Sequence, residues 1–226
     1  MKRTYLRDVS IPFTLFMFTF FLNSCMSFRS DLEGGSAVGS AVAGGRSPVS
    51  VLFHFTHLEQ ERGLDVVPKI VPPRRGFRDI FGESMKQLSN IGSFATYTDS
   101  DNDIDNVERR RMRDSLQRAN DVTVHFTYTR ENSFSKHVLA SIISYGTASL
   151  VPMGYSWDYL VTATVTNNAG TVRTTYQRSA TVTTWYQLLF LFVYPFYPSE
   201  VKIEEIYLES TRSILAQIEQ DGVLHR

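Results

Sequence analysis

Two stretches in the second half of the chain, WDYLVTATVT at 157–166 and TVRTTYQRSATVTT at 171–184, alternate apolar and polar side chains around Asn167-Asn168-Ala169-Gly170. In a strand, successive side chains point to opposite faces, so each stretch has one face to bury and one to wet. Gly170 can adopt the positive φ of a tight reversal, and the pair is expected to form a β-hairpin. That requirement constrains everything else: the rest of the chain must supply a sheet for the hairpin to join and helices to cover it.

The remaining sequence provides both. Residues 49–56 (VSVLFHFT) form a β-rich run expected to be a buried strand, and Pro68, Pro72 and Pro73 mark 57–75 as an irregular connection. Phe77, Ile80, Phe81, Met85, Leu88 and Ile91 share one face of a helix expected over 76–91. A short strand follows at Phe94–Thr98. A second helix runs to Ala119, with Asp105 as its cap and Glu108 three places on, as in a capping box. In DVTVHFTYT, Val122, Val124, Phe126 and Tyr128 alternate with polar residues as in a half-buried strand. A last helix is expected over 200–220, with Ile203, Tyr207, Ile214 and Ile218 on one stripe. The order β-α-β-α-β, hairpin, α predicts an α/β (α+β) fold with a mixed β-sheet and helices packed on it.

The amino-terminal segment obeys other rules. Lys2, Arg3 and Arg7 precede an apolar run at 11–22 (IPFTLFMFTFFL), followed by Leu22-Asn23-Ser24-Cys25. This is the layout of a secretory signal. The run falls short of the ~20 apolar residues that span a bilayer. The last four residues resemble the lipobox of bacterial lipoproteins, with Asn23 where a small residue is usual. The resemblance implies that the Cys25 thiol receives a diacylglycerol and that cleavage occurs just before it; the alternative is a secretory signal cut elsewhere. Cys25 is the single cysteine of the chain, so no internal disulfide can form. An exposed thiol would be a liability in an oxidising compartment, whereas a lipidated one is not. Two or three acyl chains would anchor the protein far more firmly than one.

These features divide the chain into a signal peptide at 1–24, the lipidated cysteine with a flexible Gly/Ser/Ala tether at 25–48, and a single α/β domain at 49–226. Gly34, Gly35, Gly39, Gly44 and Gly45 lie among serines and alanines in the tether. The 23 basic and 23 acidic residues balance, which gives no support to a nucleic-acid partner. Two apolar stretches stand outside the α/β scheme: 138–154 (VLASIISYGTASLVPMG) and 185–198 (WYQLLFLFVYPFYP). Either could cross the core, dip into the bilayer or meet a partner, since Trp and Tyr suit both kinds of interface. Trp185, Tyr186, Tyr194, Phe196 and Tyr197 are the candidate contact residues. Leu188 to Val193 is expected to be buried, with Trp185 and Tyr197 partly exposed.

Several motifs are incomplete. Asp99, Asp101 and Asp103 have EF-hand spacing, but Ile104 replaces the glycine and Arg110 the bidentate glutamate. An acidic loop capping a helix is the expected role. Ser133-Phe-Ser-Lys136 and Ser100-Asp-Asn102 match two motifs of penicillin-binding enzymes in reversed order and without a KTG triad. Gly82-Glu-Ser84-Met-Lys86 lacks the second glycine of a nucleophile elbow. His54 and His57, three apart on a strand, point to opposite faces, and the five histidines are unclustered in sequence, so no metal site or cofactor is expected. The run Glu108-Arg-Arg-Arg-Met-Arg113 reads as a solvated helix face, with an anionic lipid headgroup as the alternative.

The lipobox, the tether and the element order are similar to those of diderm envelope lipoproteins of the curli-secretion and Tol-translocation type, with residues 115–215 carrying the likeness. This resemblance implies a non-catalytic binding or assembly domain held to a membrane through Cys25, the outer membrane more readily than the inner, facing the periplasm or the cell surface. Another envelope protein is the natural partner. The alternative is a small extracytoplasmic hydrolase or transferase without recognised catalytic residues.

Overall fold

In the computed structural model, the described residues are 25–34, 47–103, 105–147, 150–186 and 199–224. Seven strands make one mixed sheet: β1 (Cys25–Arg29), β2 (Val49–Arg62), β3 (Lys69–Ile70), β4 (Ile91–Thr98), β5 (Val122–Ser133), β6 (Met153–Asn167) and β7 (Val172–Tyr186). Among the described residues there are four α-helices: α1 (Phe77–Ser84), α2 (Val107–Ala119), α3 (Phe134–Gly146) and α4 (Ser199–Asp221). The strands run β1-β7-β6-β5-β2-β3, with β4 also paired to β2. β2 is parallel to β4 and β5, and every other pairing is antiparallel. The mixed α/β fold read from the sequence is the fold observed.

The hairpin forms where expected. Gly170 has φ 79°, its N–H donates to the Asn167 carbonyl at 2.9 Å, and the Asn167 side chain accepts from Thr171 N–H at 2.8 Å. Alternation then sorts the sheet into two faces. On one, Val51, Phe53 and Phe55 of β2, Val124, Phe126 and Tyr128 of β5, and Tyr159, Val161 and Val165 of β6 are all buried. They meet Ile80 and Phe81 of α1 and Ile206, Ile214, Leu215 and Ile218 of α4. The aromatic rings pack edge-on, with Phe81 5.0 Å from Phe53 and 4.9 Å from Phe55. Tyr128 bonds the Thr211 hydroxyl of α4 at 2.8 Å, which satisfies its polar end inside the core.

Several boundaries differ from the sequence reading, each for a local reason. β2 continues to Arg62, because β5 stays in register with it as far as Ser133 and supplies hydrogen-bond partners beyond residue 56. The helix expected over 76–91 is shorter, ending at Ser84 with one 3₁₀ turn to Gln87, after which Ile91 opens β4. Helix α2 is capped by Asn106, whose side chain accepts from Glu108 and Arg109 N–H at 3.1 Å each, in place of the Asp105 capping box. The segment 138–154 holds a helix, α3, and the start of β6.

The tether expected over 25–48 requires a correction at its start. Cys25–Arg29 pairs antiparallel with β7, from Cys25↔Tyr186 to Arg29↔Val182, and Glu33 bridges Ser179. Composition pointed to a flexible coil, but the glycines begin at Gly34, and CMSFR before them adds to a free edge. Ser27 is fully buried and bonds Thr184 at 2.9 Å, while Arg29 makes a two-pronged ion pair with Glu209 of α4 at 2.9 and 3.0 Å. Residues 35–46 lie outside the described residues.

Candidate functional site

The face of the sheet opposite α1 and α4 is lined by threonines and histidines. β2 and β5 are in parallel register, so His54 lies directly beside His125 on this face. Their rings stack at 4.1 Å and 9°. β4, on the other flank of β2, ends at Thr98, and the next residue, Asp99, donates its N–H to the Phe55 carbonyl at 2.8 Å. That bond carries the Asp99 carboxylate onto the same face. His54 Nε2 lies 2.9 Å from Asp99 Oδ1, Thr56 Oγ1 donates to Asp99 Oδ2, and Thr56 Oγ1 lies 2.8 Å from His125 Nε2. Three adjacent parallel strands thus bring two imidazoles and one carboxylate together, with ligand atoms all within 4.8 Å of one another.

The cluster is half-buried, with His54 and Asp99 side chains 13% and 15% exposed. Burial alone would raise the Asp99 carboxyl, but hydrogen bonds from His54 and Thr56 outweigh it and hold the group below the usual range. Burial pushes the His125 imidazole down to about 4, helped by the neighbouring His54 and by Arg113 and opposed by Asp99. His57, on the core face, is pushed to about 4 by burial alone, stacked 4.9 Å from Tyr128. The two faces expected for His54 and His57 are therefore observed. His54 and His125 nonetheless meet in space with Asp99, which corrects the reading of the histidines as unclustered for that pair. Sequence reasoning missed the site because its members come from three separate strands. The available signal was that His54 and His125 both fall on polar positions of their strands.

A second feature lies at one end of the sheet. β5 passes into α3 with no loop, and α3 buries only Ala140 among its described side chains. Leu139, Ile142 and Tyr145 are 57%, 63% and 86% exposed, and Leu150 and Val151, which precede β6, are exposed as well. His137 stacks on Tyr155 of β6 at 4.4 Å, holding the helix against the sheet end. At this same end Met153 of β6 pairs with Tyr186 of β7, and Tyr186 pairs with Cys25 of β1.

Cys25 opens β1, and Trp185 is 38% exposed near the end of β7, as expected of a partly exposed position. Tyr186 closes β7, while Tyr194, Phe196 and Tyr197, with the Leu188–Val193 run, lie outside the described residues. The acidic triplet does not converge: Asp103 pairs with Arg109 and accepts from Tyr97 at 2.6 Å, whereas Asp99 belongs to the histidine cluster. Ser84 is buried and donates to the Ile80 carbonyl at 2.8 Å, the back-bond of a helical serine. Ser133 lies at the β5–α3 junction with its hydroxyl 3.2 Å from Ser135. None of the side chains of α2, which carries the arginine run, is buried.

No family model matches the chain, and no curated protein matches it. Among solved structures, the PelC dodecamer from Paraburkholderia phytofirmans matches at 9% identity with a TM-score of 0.31, covering 86% of this chain and 97% of that one. A point variant of that dodecamer matches at 9% identity and a TM-score of 0.31, covering 87% of this chain and 99% of that one. Likeness of this degree assigns no role to the chain.

Proposed function

We propose that the protein is an envelope lipoprotein, anchored through a lipid on Cys25, that works as a non-catalytic binding or assembly module lying against the membrane on its α3 end. One observation carries this reading: Cys25, the exposed apolar side chains of α3, Leu150, Val151 and Trp185 all gather at the same end of the sheet. An acyl chain on Cys25 would hold that end within reach of the bilayer. Apolar side chains that the fold leaves uncovered would then enter the interface and gain roughly 25 cal/mol per Å² of surface removed from water. An aromatic residue such as Trp185 suits the headgroup boundary. No described helix is long and apolar enough to cross a membrane, so the proposed attachment is to one leaflet. The opposite end of the sheet, with the Asn167–Gly170 turn, would face away and be free to meet another envelope protein.

The experiment uses Trp185 as reporter. The chain has two tryptophans, so Trp157→Phe leaves Trp185 alone. The lipidated variant is reconstituted into phosphatidylethanolamine/phosphatidylglycerol vesicles with brominated acyl chains. Quenching of Trp185 is expected, and unquenched emission from vesicle-bound protein would overturn the orientation. Metabolic labelling with a fatty-acid analogue tests the anchor: Cys25→Ala should abolish label and membrane fractionation, and retained label would refute it.

A further inference from the structure

We propose that His54, Asp99 and His125 form a binding site for a divalent transition-metal ion of the zinc class, with water completing the coordination. Two imidazole nitrogens and a carboxylate oxygen suit zinc, cobalt or ferrous iron, whereas calcium and magnesium take oxygen ligands throughout. Three protein ligands and one open position is the pattern of a zinc site that keeps a water. The ligand atoms all lie within 4.8 Å of one another, and His54 Nε2 and Asp99 Oδ1 are already 2.9 Å apart. Bonds from such ligands to zinc are about 2.0–2.2 Å long, a span that donors at this spacing can share.

The fold fixes the two histidines on backbone that is paired on both sides and sets Asp99 just past the end of β4. His54 and His125 are direct neighbours in the β2–β5 ladder, and Asp99 is pinned by its N–H bond to Phe55. Thr56 holds the second carboxylate oxygen, the outer-shell bond that orients a ligating carboxylate. The side chains keep 13–15% of their surface at His54 and Asp99, enough for a water to reach the ion. The two imidazole rings lie 4.1 Å apart between centroids and 9° from parallel, so an ion held by a nitrogen of each would splay the rings. That movement gives the site a signature of its own.

The test uses the full chain purified in detergent and titrated with Co(II), then with Zn(II) in competition. One Co(II) per chain is expected, with visible bands of a four-coordinate nitrogen–oxygen site and no near-ultraviolet thiolate band. His54→Ala, Asp99→Asn and His125→Ala should each weaken binding by more than ~100-fold, and Thr56→Ala by about 10-fold, as loss of an outer-shell partner does. Circular dichroism checks that each variant is folded. Proton NMR of the wild-type protein supplies a readout that needs no variant: Co(II) should shift the ring protons of two histidines strongly and alter the ring-current shifts of the stacked pair. Absence of binding at millimolar metal would overturn the proposal. So would binding that survives His125→Ala in a folded protein, or that vanishes in Cys25→Ser. Shifts at any histidine pair other than His54 and His125 would also overturn it.

Discussion

Helices α3 and α4 are both rich in apolar residues, yet they meet opposite fates. α4 buries Ile203, Ile206, Tyr207, Ile214, Leu215 and Ile218 against the sheet, with Ser210, Thr211 and Gln217 buried among them. α3 buries Ala140 and leaves Leu139, Ile142 and Tyr145 largely open. Apolar content alone therefore does not decide burial. The connection does: α4 lies along the sheet, from the ion pair of Glu200 with Arg74 to the bond of Tyr176 with Asp221, whereas α3 continues directly from β5 at the sheet end. What α3 cannot bury within the fold is available to something outside it.

The contrast can be broken most directly by truncation. Leu215→Ala should lower stability by about 2–5 kcal/mol, as removal of a fully buried leucine does. Urea unfolding of wild type and variant measures it, and a neutral result would mean that α4 is not the lid of the core. The next effect, roughly 3 kcal/mol, comes from pH. His57 beneath α1 titrates near 4 when folded and near 6.5 when unfolded, so only the unfolded chain takes up its proton between those values. Stability should be unaffected by this group above pH 6.5, fall as pH drops toward 4, and level off below. His57→Phe should remove its share of that slope in urea midpoints recorded across the window, leaving the share of His125, which burial also pushes to about 4; an unchanged slope would place the titration elsewhere. Smaller still is Tyr128→Phe, expected to cost about 1 kcal/mol for one lost hydrogen bond, because Thr211 keeps its bond to the Tyr207 carbonyl at 2.7 Å. The least change in stability is expected on α3: Ile142→Ser should stay within roughly ±0.5 kcal/mol. The same variant without the lipid (on a Cys25→Ser background) should sediment less with vesicles than its parent. Should Ile142→Ser unfold the protein as readily as Leu215→Ala, the two helices are alike and the contrast fails.

What the sequence disclosed follows the same division. The hairpin, the 122–128 strand and α4 were legible because one face of each is buried and the other wet, which writes a period into the residues. α3 was not, because it buries only Ala140, so no core face fixes the period of its apolar residues, and Gly146 breaks the run. β1 was hidden by the glycines that follow it, although Ser27 and Thr184 meet in the fold across most of the chain. The histidine cluster depends on register: His54, Asp99 and His125 are far apart in sequence, and only the parallel pairing of β2 with β4 and β5 sets them side by side.

The pairing of β1 with β7 also imposes an order in time. A chain made from its amino terminus presents Cys25 long before residues 182–186 exist to receive it. The thiol is therefore open to modification throughout synthesis, and the sheet edge can zip shut only once nearly the whole domain has emerged. Under the lipidation proposed above, acylation first and closure second would be the order this topology permits without unfolding anything, the closing of the edge coming last and setting Cys25 beside Tyr186.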